Sequence, residues 1–284
     1  MMTDLKAQAN LDSRKTPRPV RVISVTSGKG GVGKTNVVTN LALALAKSGQ
    51  RVLIWDADLG LANIDVLLGL KPEFNIHHLL NGEKSLQEIL VEGPYGVRIM
   101  PASSGIQELA SLGEGQKVRL LAELDEYDDD LDFLLIDTGA GISGNVMYFN
   151  MAAQERIVVV TPEPTSITDA YALIKVMCTR YNQKRFSILP NQVTGPNEAK
   201  SVFQLLTAVA DKHLGSVSLD FAGFIPRDEN LPKSVRQQRA ILDAFPSSEA
   251  SLGFEKLAKN LMRSQVDTQL NGSIRFFWKR LLRI

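Results

Sequence analysis

Apolar residues recur along this chain with two periods. Short β-branched runs read as buried strands: Val20 to Val25, Arg51 to Asp56, Val97 to Pro101, Phe133 to Asp137, Arg156 to Thr161, Phe186 to Pro190 and Leu219 to Ile225. Between them, apolar residues spaced by three and four predict helices over 36–47, 116–124, 166–181, 198–214, 230–238 and 247–262. Val37, Leu41, Ala44 and Leu45 show the spacing in the first of these. Leu67 to Leu70 closes a short helix, and 73–95 reads as short helices with turns at Gly82 and Pro94. Strands alternating with helices demand an α/β fold: a single domain with a mostly parallel, twisted sheet and helices on both faces. The expected boundaries are a polar arm over 1–19, the domain over 20–263, a tether over 264–271 and a terminal helix over 272–284.

That last stretch is amphipathic. Ile274, Phe277, Trp278, Leu281 and Leu282 fall at i, i+3, i+4, i+7 and i+8, while Arg275, Lys279, Arg280 and Arg283 lie mostly opposite and no acid interrupts them. A basic helix with aromatics reads as a membrane-surface helix that binds anionic lipid reversibly, and a dimer would supply two copies. The alternative is a helix docked on the domain's own core.

Composition narrows the choices. The 284 residues, 44% hydrophobic and 22% charged, suffice for one sizeable α/β domain, and a net charge of +1 gives no global field for nucleic acid. Cys178 stands alone, which excludes an internal disulfide and a cluster held by cysteines, and His77, His78 and His213 have no ligand spacing. The acidic run Asp125 to Asp132 is either a solvated loop before a strand or a metal site. No apolar run reaches the ~18 residues of a membrane span and no signal peptide opens the chain, so a cytoplasmic place is expected.

The candidate chemistry begins at Ser27-Gly28-Lys29-Gly30-Gly31-Val32-Gly33-Lys34-Thr35, between a strand and a helix. This is G-x-x-x-x-G-K-[ST], a loop that turns backbone N–H groups onto an anion at a helix's positive end. Lys34 then reaches the β- and γ-phosphates and the Thr35 hydroxyl ligates Mg²⁺. Gly28, Gly30 and Gly33 also spell the dinucleotide fingerprint, with Asp56 placed to take a ribose hydroxyl, which would suit an NAD-dependent oxidoreductase. Asp58 stands at a strand's carboxyl edge, where it can orient the attacking water; alternatively Asp56 and Asp58 only cap the next helix. Asp137 ends an apolar strand and can hold the water shell of Mg²⁺.

The pattern K-G-G-x-G-K-T, with Lys29 straight after the first glycine, resembles the deviant Walker A motif of the MinD/ParA family of P-loop ATPases. The resemblance runs from about Val20 to Met262, and the tail is similar to MinD-type targeting helices. It implies a slow ATPase with ATP and Mg²⁺ as cofactors and a homodimer closed over nucleotide. Lys29 would reach across to the partner's ATP; otherwise it is a solvated loop lysine. Lys29, Lys34 and Asp58 are then the catalytic residues, and Thr35, Asp58 and Asp137 the metal residues. ATP would be bound by Gly28, Lys29, Gly30, Gly31, Val32, Gly33, Lys34, Thr35 and Asn36, with Asn191 and Pro226-Arg227-Asp228 at the adenine.

Asp56-Ala57-Asp58-Leu59-Gly60-Leu61-Ala62-Asn63-Ile64-Asp65 resembles switch I, and Asp137-Thr138-Gly139-Ala140-Gly141-Ile142 resembles switch II, with Gly139 where many relatives have proline. Both stretches and the N-terminal arm look most like the FleN/FlhG branch, the flagellar-number ATPases. That implies an antiactivator restraining the flagellar master transcription regulator, an enhancer-binding protein. It also implies an inner-membrane, polar location and a second partner, the GTPase FlhF. Of the D-Q-A motif that stimulates this GTPase, only Gln8-Ala9 remains here. A MinD-like division-site positioner is the alternative within the family.

Overall fold

The computed structural model describes residues 20–58, 63–101, 123, 127, 131–215 and 217–264. The expected N-terminal arm, most of the 116–124 helix, the tether beyond 264 and the tail positions Ile274, Phe277, Trp278, Leu281 and Leu282 lie outside them.

In chain order the elements are β1 (Arg21–Ser27), α1 (Lys34–Lys47), β2 (Val52–Ala57), α2 (Ile64–Leu68), α3 (Ile76–Leu80), α4 (Leu86–Ile89), β3 (Val91–Glu92), β4 (Arg98–Met100), β5 (Phe133–Ala140), α5 (Gly144–Ala152) and β6 (Glu155–Val160). Then follow α6 (Pro164–Tyr181), β7 (Arg185–Val193), α7 (Pro196–Leu214), β8 (Ser218–Phe221), β9 (Ile225–Pro226), α8 (Asn230–Arg236), α9 (Ile241–Ala244) and α10 (Glu249–Arg263). The strands form one sheet in the order β3-β4-β2-β5-β1-β6-β7-β8, with β9 paired to the end of β7. Every pairing is parallel except β3 with β4 at one edge.

The strands read as continuous apolar runs because helices cover both faces. On one face, Ile23 and Val25 of β1 pack with Val37, Leu41 and Leu45 of α1 and with Phe254 and Leu257 of α10. On the other, Val22, Leu53 and Leu134 meet Ile76, Leu79 and Phe149, with Trp55 edge-on to Phe149 at 4.9 Å. A third cluster joins α6 and α7 to β6 and β7. The central strand β1 has β5 on one side and β6 on the other: the chain runs from β1 outward to β2 and β4, returns to β5, and then crosses over β1 to β6. The crevice beyond its carboxyl end is where open α/β sheets bind ligands.

The structure departs from the sequence pattern in three places. Leu219 to Ile225 is not one strand: β8 and β9 are separate, with Gly223 at φ 125° between them. Helix α5 was not expected from the sequence: Val146, Met147, Phe149, Asn150 and Ala152 are all buried, and the Ser143 hydroxyl caps its start by accepting the Val146 N–H. Asp132, from the acidic run, is ion-paired with Arg51 at 3.1 Å and also accepts the Arg51 N–H, so it anchors the start of β5.

Candidate nucleotide site

The loop 28–33 joins β1 to α1, and its glycines answer to particular contacts. A β-carbon on Gly28 would lie 2.0 Å from the Asp169 carbonyl oxygen of α6, so only glycine admits that helix. Gly31 and Gly33 take φ 77° and 91°, which L side chains rarely adopt. Gly33 sits at the N-cap of α1, where no side chain caps the helix. The first N–H groups of a 14-residue helix therefore lack a side-chain acceptor and face the crevice, the arrangement that suits an anion.

Charge is concentrated beneath this loop. Lys34 is buried, and its pKa is lowered by that burial, against the attraction of Asp137 and Asp58. Asp137 is 1% exposed; burial raises its pKa to about 7, opposed by a hydrogen bond from the Thr35 hydroxyl. Its Oδ1 has no hydrogen-bond partner among the described residues. A buried carboxylate oxygen without a donor is costly, and the hydrated shell of a divalent cation removes that cost. The donor set thus fits Mg²⁺ held by Thr35, phosphate oxygens and water, with Asp137 behind the water. Among the described residues no three His, Cys, Asp or Glu side chains group to hold an ion by themselves.

Asp58 comes close to the second switch: a β-carbon on Gly139 would lie 3.6 Å from its Oδ1. Asp56 does something else. It accepts N–H bonds from Asp58 at 3.2 Å, Asn63 at 3.1 Å and Ile64 at 3.3 Å, tying down the start of α2, and burial raises its pKa to about 6. Buried and committed to backbone donors, it cannot serve as a ribose ligand, and the dinucleotide reading falls with it. Switch II is fastened to β1 by the Thr138 hydroxyl on the Val25 carbonyl and the Gly141 N–H on the Ser27 carbonyl.

Lys29 stands on the rim. Its Nζ bonds Glu163 Oε2 at 2.5 Å and Thr165 Oγ1 at 2.9 Å, and both ion-pair partners are open to water, at 36% and 62%. Without nucleotide it is thus held in a water-exposed ion pair on the loop's rim. Nothing in the sequence pointed to Glu163 as its partner, which is 134 positions away.

Asn191, expected at the adenine, braces the phosphate loop in this structure. Its Nδ2 donates to the Val32 carbonyl at 2.7 Å, and it is 2% exposed. Pro226 ends β9 alongside, and the N–H of Arg227, the next residue, is bonded to the Val193 carbonyl. Asp228 is turned to framework: it accepts the N–H of Asn230 at 2.8 Å and of Ala250 at 3.0 Å. Burial pushes its pKa up, but these donors outweigh it and the net shift is down. Its oxygens hold the starts of α8 and α10 in place.

Comparison with known proteins follows the same lines. Residues 19–262 match the family model described as ParA: NUBPL iron-transfer P-loop NTPase. The chain is 48% identical to the antiactivator FleN of Pseudomonas aeruginosa, over 93% of this chain and 94% of that one. It is 35% identical to the flagellum site-determining protein YlxH of Helicobacter pylori, over 93% and 90%. Among solved structures it is similar to the MinC:MinD cell division protein complex of Aquifex aeolicus, with a TM-score of 0.67, 27% identity and coverage of 87% and 97%.

Proposed function

Because this chain belongs to the ParA family of P-loop NTPases, and within it to the FleN branch, we infer that it is an ATP-hydrolysing switch that restrains the transcription regulator of flagellar genes, and so sets flagellar number. The loop N–H groups and the amino end of α1 hold the phosphates, and Lys34 neutralises the β- and γ-phosphates from beneath. Mg²⁺, when bound with ATP, supplies positive charge where the leaving oxygens develop negative charge. Thr35 and Asp137 position it, and Asp58 orients the attacking water beside Gly139. The sequence offers no cluster cysteines for iron transfer, since Cys178 is single.

The observation that carries the switch is Lys29. It sits at the rim on a surface carboxylate rather than on its own cradle, where a second chain closing over the site can take it. ATP thus joins two chains, and hydrolysis parts them. The regulator reads the joined form. The basic amphipathic tail supports a peripheral place at the inner face of the cytoplasmic membrane and at a pole, with two tails per dimer to hold it there. Gln8-Ala9 supports a contact with the flagellar GTPase FlhF.

The test is co-sedimentation of the purified regulator with the chain in ATP and in ADP, together with flagellar counts in cells lacking the gene. Binding in ATP alone and supernumerary flagella are expected. Minicells with normal flagella would favour a MinD-like positioner, and no binding in either nucleotide would overturn the reading.

A further inference from the structure

Asn150, on α5 behind switch II, is 1% exposed, and it faces Ser24 and Thr26 of β1, which are buried as well. Its Oδ1 accepts the Ser24 hydroxyl at 2.9 Å, and its Nδ2 donates to Thr26 Oγ1 at 3.1 Å and to the Val146 carbonyl at 2.8 Å. Both donors and an acceptor site are thus engaged, which fixes the plane of the carboxamide. Just beyond, the Arg156 guanidinium on β6 donates to the carbonyls of Asn150 and Ala153, each at 2.8 Å, and holds the end of α5.

The rest of this contact is apolar. Phe149 and Ala152 of α5 share a cluster with Val22, and Val146 and Met147 share another with Val158. Apolar burial is non-directional, so such faces hold a helix without choosing one register. Nor does stability call for the polar group: apolar residues of similar shape in place of Asn150 and its partners would be close to neutral. A buried network with its members bonded does choose, because a slide or rotation of α5 leaves them unpaired. The register matters at the site. A β-carbon on Gly139 of switch II would lie 3.4 Å from Val146 Cγ2 and 3.6 Å from Asp58 Oδ1, so switch II lies against both. Strand β1 supplies the frame. The Ser24 and Thr26 hydroxyls bond Asn150, the Val25 carbonyl accepts the Thr138 hydroxyl, and the Ser27 carbonyl accepts the Gly141 N–H. Each residue from 24 to 27 thus holds switch II or its helix, and the phosphate loop begins at the next.

We propose that Asn150 is a positioning residue for hydrolysis: bonded to Ser24 and Thr26, it sets the register of α5 on β1 and so the place of Gly139 beside Asp58. The proposal rests on the ATPase reading above and deepens it. Asn150 acts through Val146 and Gly139 on the geometry at Asp58, and not on the phosphates, which the loop and Lys34 hold. Loss of the network should therefore leave ATP bound and misplace the attacking water. A misplacement of about 1 Å can cost ~100-fold in rate.

The test is phosphate release by the full-length protein at saturating ATP and Mg²⁺, with displacement of N-methylanthraniloyl-labelled ATP for affinity and urea denaturation for stability. The combined variant Ser24→Ala, Thr26→Val and Asn150→Leu exchanges the network for apolar groups of similar shape. We expect it to unfold close to the parent's urea midpoint and to bind ATP as the parent does, with kcat lower by about tenfold to 100-fold. Single substitutions at Thr26 give the same reading without that repacking: Thr26→Val, which keeps the shape, should lower kcat, and Thr26→Ser, which keeps the hydroxyl, should retain it. A folded combined variant with the parent's kcat would overturn the proposal, as would Thr26→Val and Thr26→Ser hydrolysing alike. An affinity that falls along with kcat would overturn it too, since the network would then be holding the whole site together. A parent that binds labelled ATP and releases no phosphate overturns the ATPase reading itself, and this is read separately, from the parent alone.

Discussion

Removing the carboxylate that holds Lys29 should strengthen the dimer. In the single chain, Lys29 is bonded to Glu163 at 2.5 Å and to Thr165 at 2.9 Å. To reach a partner's phosphates it must leave both. The pair is open to water, so its worth is that of a surface ion pair, about 0.2–1 kcal/mol. A dimer breaks two such pairs, about 0.4–2 kcal/mol in all, and ~1.4 kcal/mol is tenfold in an equilibrium constant. Glu163→Gln should therefore tighten the ATP-bound dimer by about 2- to 30-fold. The gain should shrink as salt is added, because both groups are exposed. Analytical ultracentrifugation over a concentration series, at low salt with ATP and Mg²⁺, measures it. The Lys29→Ala chain should not dimerise, and adding Glu163→Gln to it should restore nothing. A Glu163→Gln dimer that is weaker than the parent's would refute the reasoning, since Glu163 would then be acting in the closed form and not against it.

Two further outcomes follow from the site's packing and charge. Gly28→Ala should lose about 1–3 kcal/mol or more in urea denaturation, because its new carbon would fall 2.0 Å from a backbone oxygen of α6 that has no rotamer to escape by. Asp56 and Asp137, both raised first by burial, have folded-state values of about 6 and about 7 against an ordinary 3.8. The folded state then binds more protons than the unfolded chain across that window, so nucleotide-free stability should fall as pH rises from 4 to 7.5. Denaturation in urea at pH 5 and pH 7.5 checks the sign; Asp137→Asn should flatten the slope while abolishing Mg²⁺-dependent hydrolysis.

The sequence disclosed most of the framework, for physical reasons that apply unevenly. Strands such as β1 and β5 lie in the middle of a sheet covered on both faces, so their apolar runs are continuous and easily read. The phosphate loop is legible because its glycines, lysine and threonine are contiguous, and no other ligand needs them in that order. Helix α5 was hidden because its buried and half-buried positions run together from Val146 to Ala152, which erases the periodicity that reveals a helix. The contacts of Lys29 with Glu163 and of Asn191 with Val32 join residues far apart in the chain, and spacing alone cannot show them. The bonds from the Asn230 and Ala250 N–H groups to Asp228 were hidden likewise, since a short acidic residue after a strand suits a ligand or a cap equally well.

The measurement that bears most directly on the account is the molar mass of the full chain by light scattering after size exclusion, run without nucleotide, with ADP and with ATP, each with Mg²⁺. The Asp58→Ala form, which should bind but not hydrolyse, belongs beside it. The account predicts a monomer without nucleotide and with ADP, a dimer with ATP, and a persistent dimer for Asp58→Ala. One and the same mass under all three conditions, with ATP demonstrably bound, would contradict it: the chain would then be a P-loop ATPase whose Lys29 has no partner to reach.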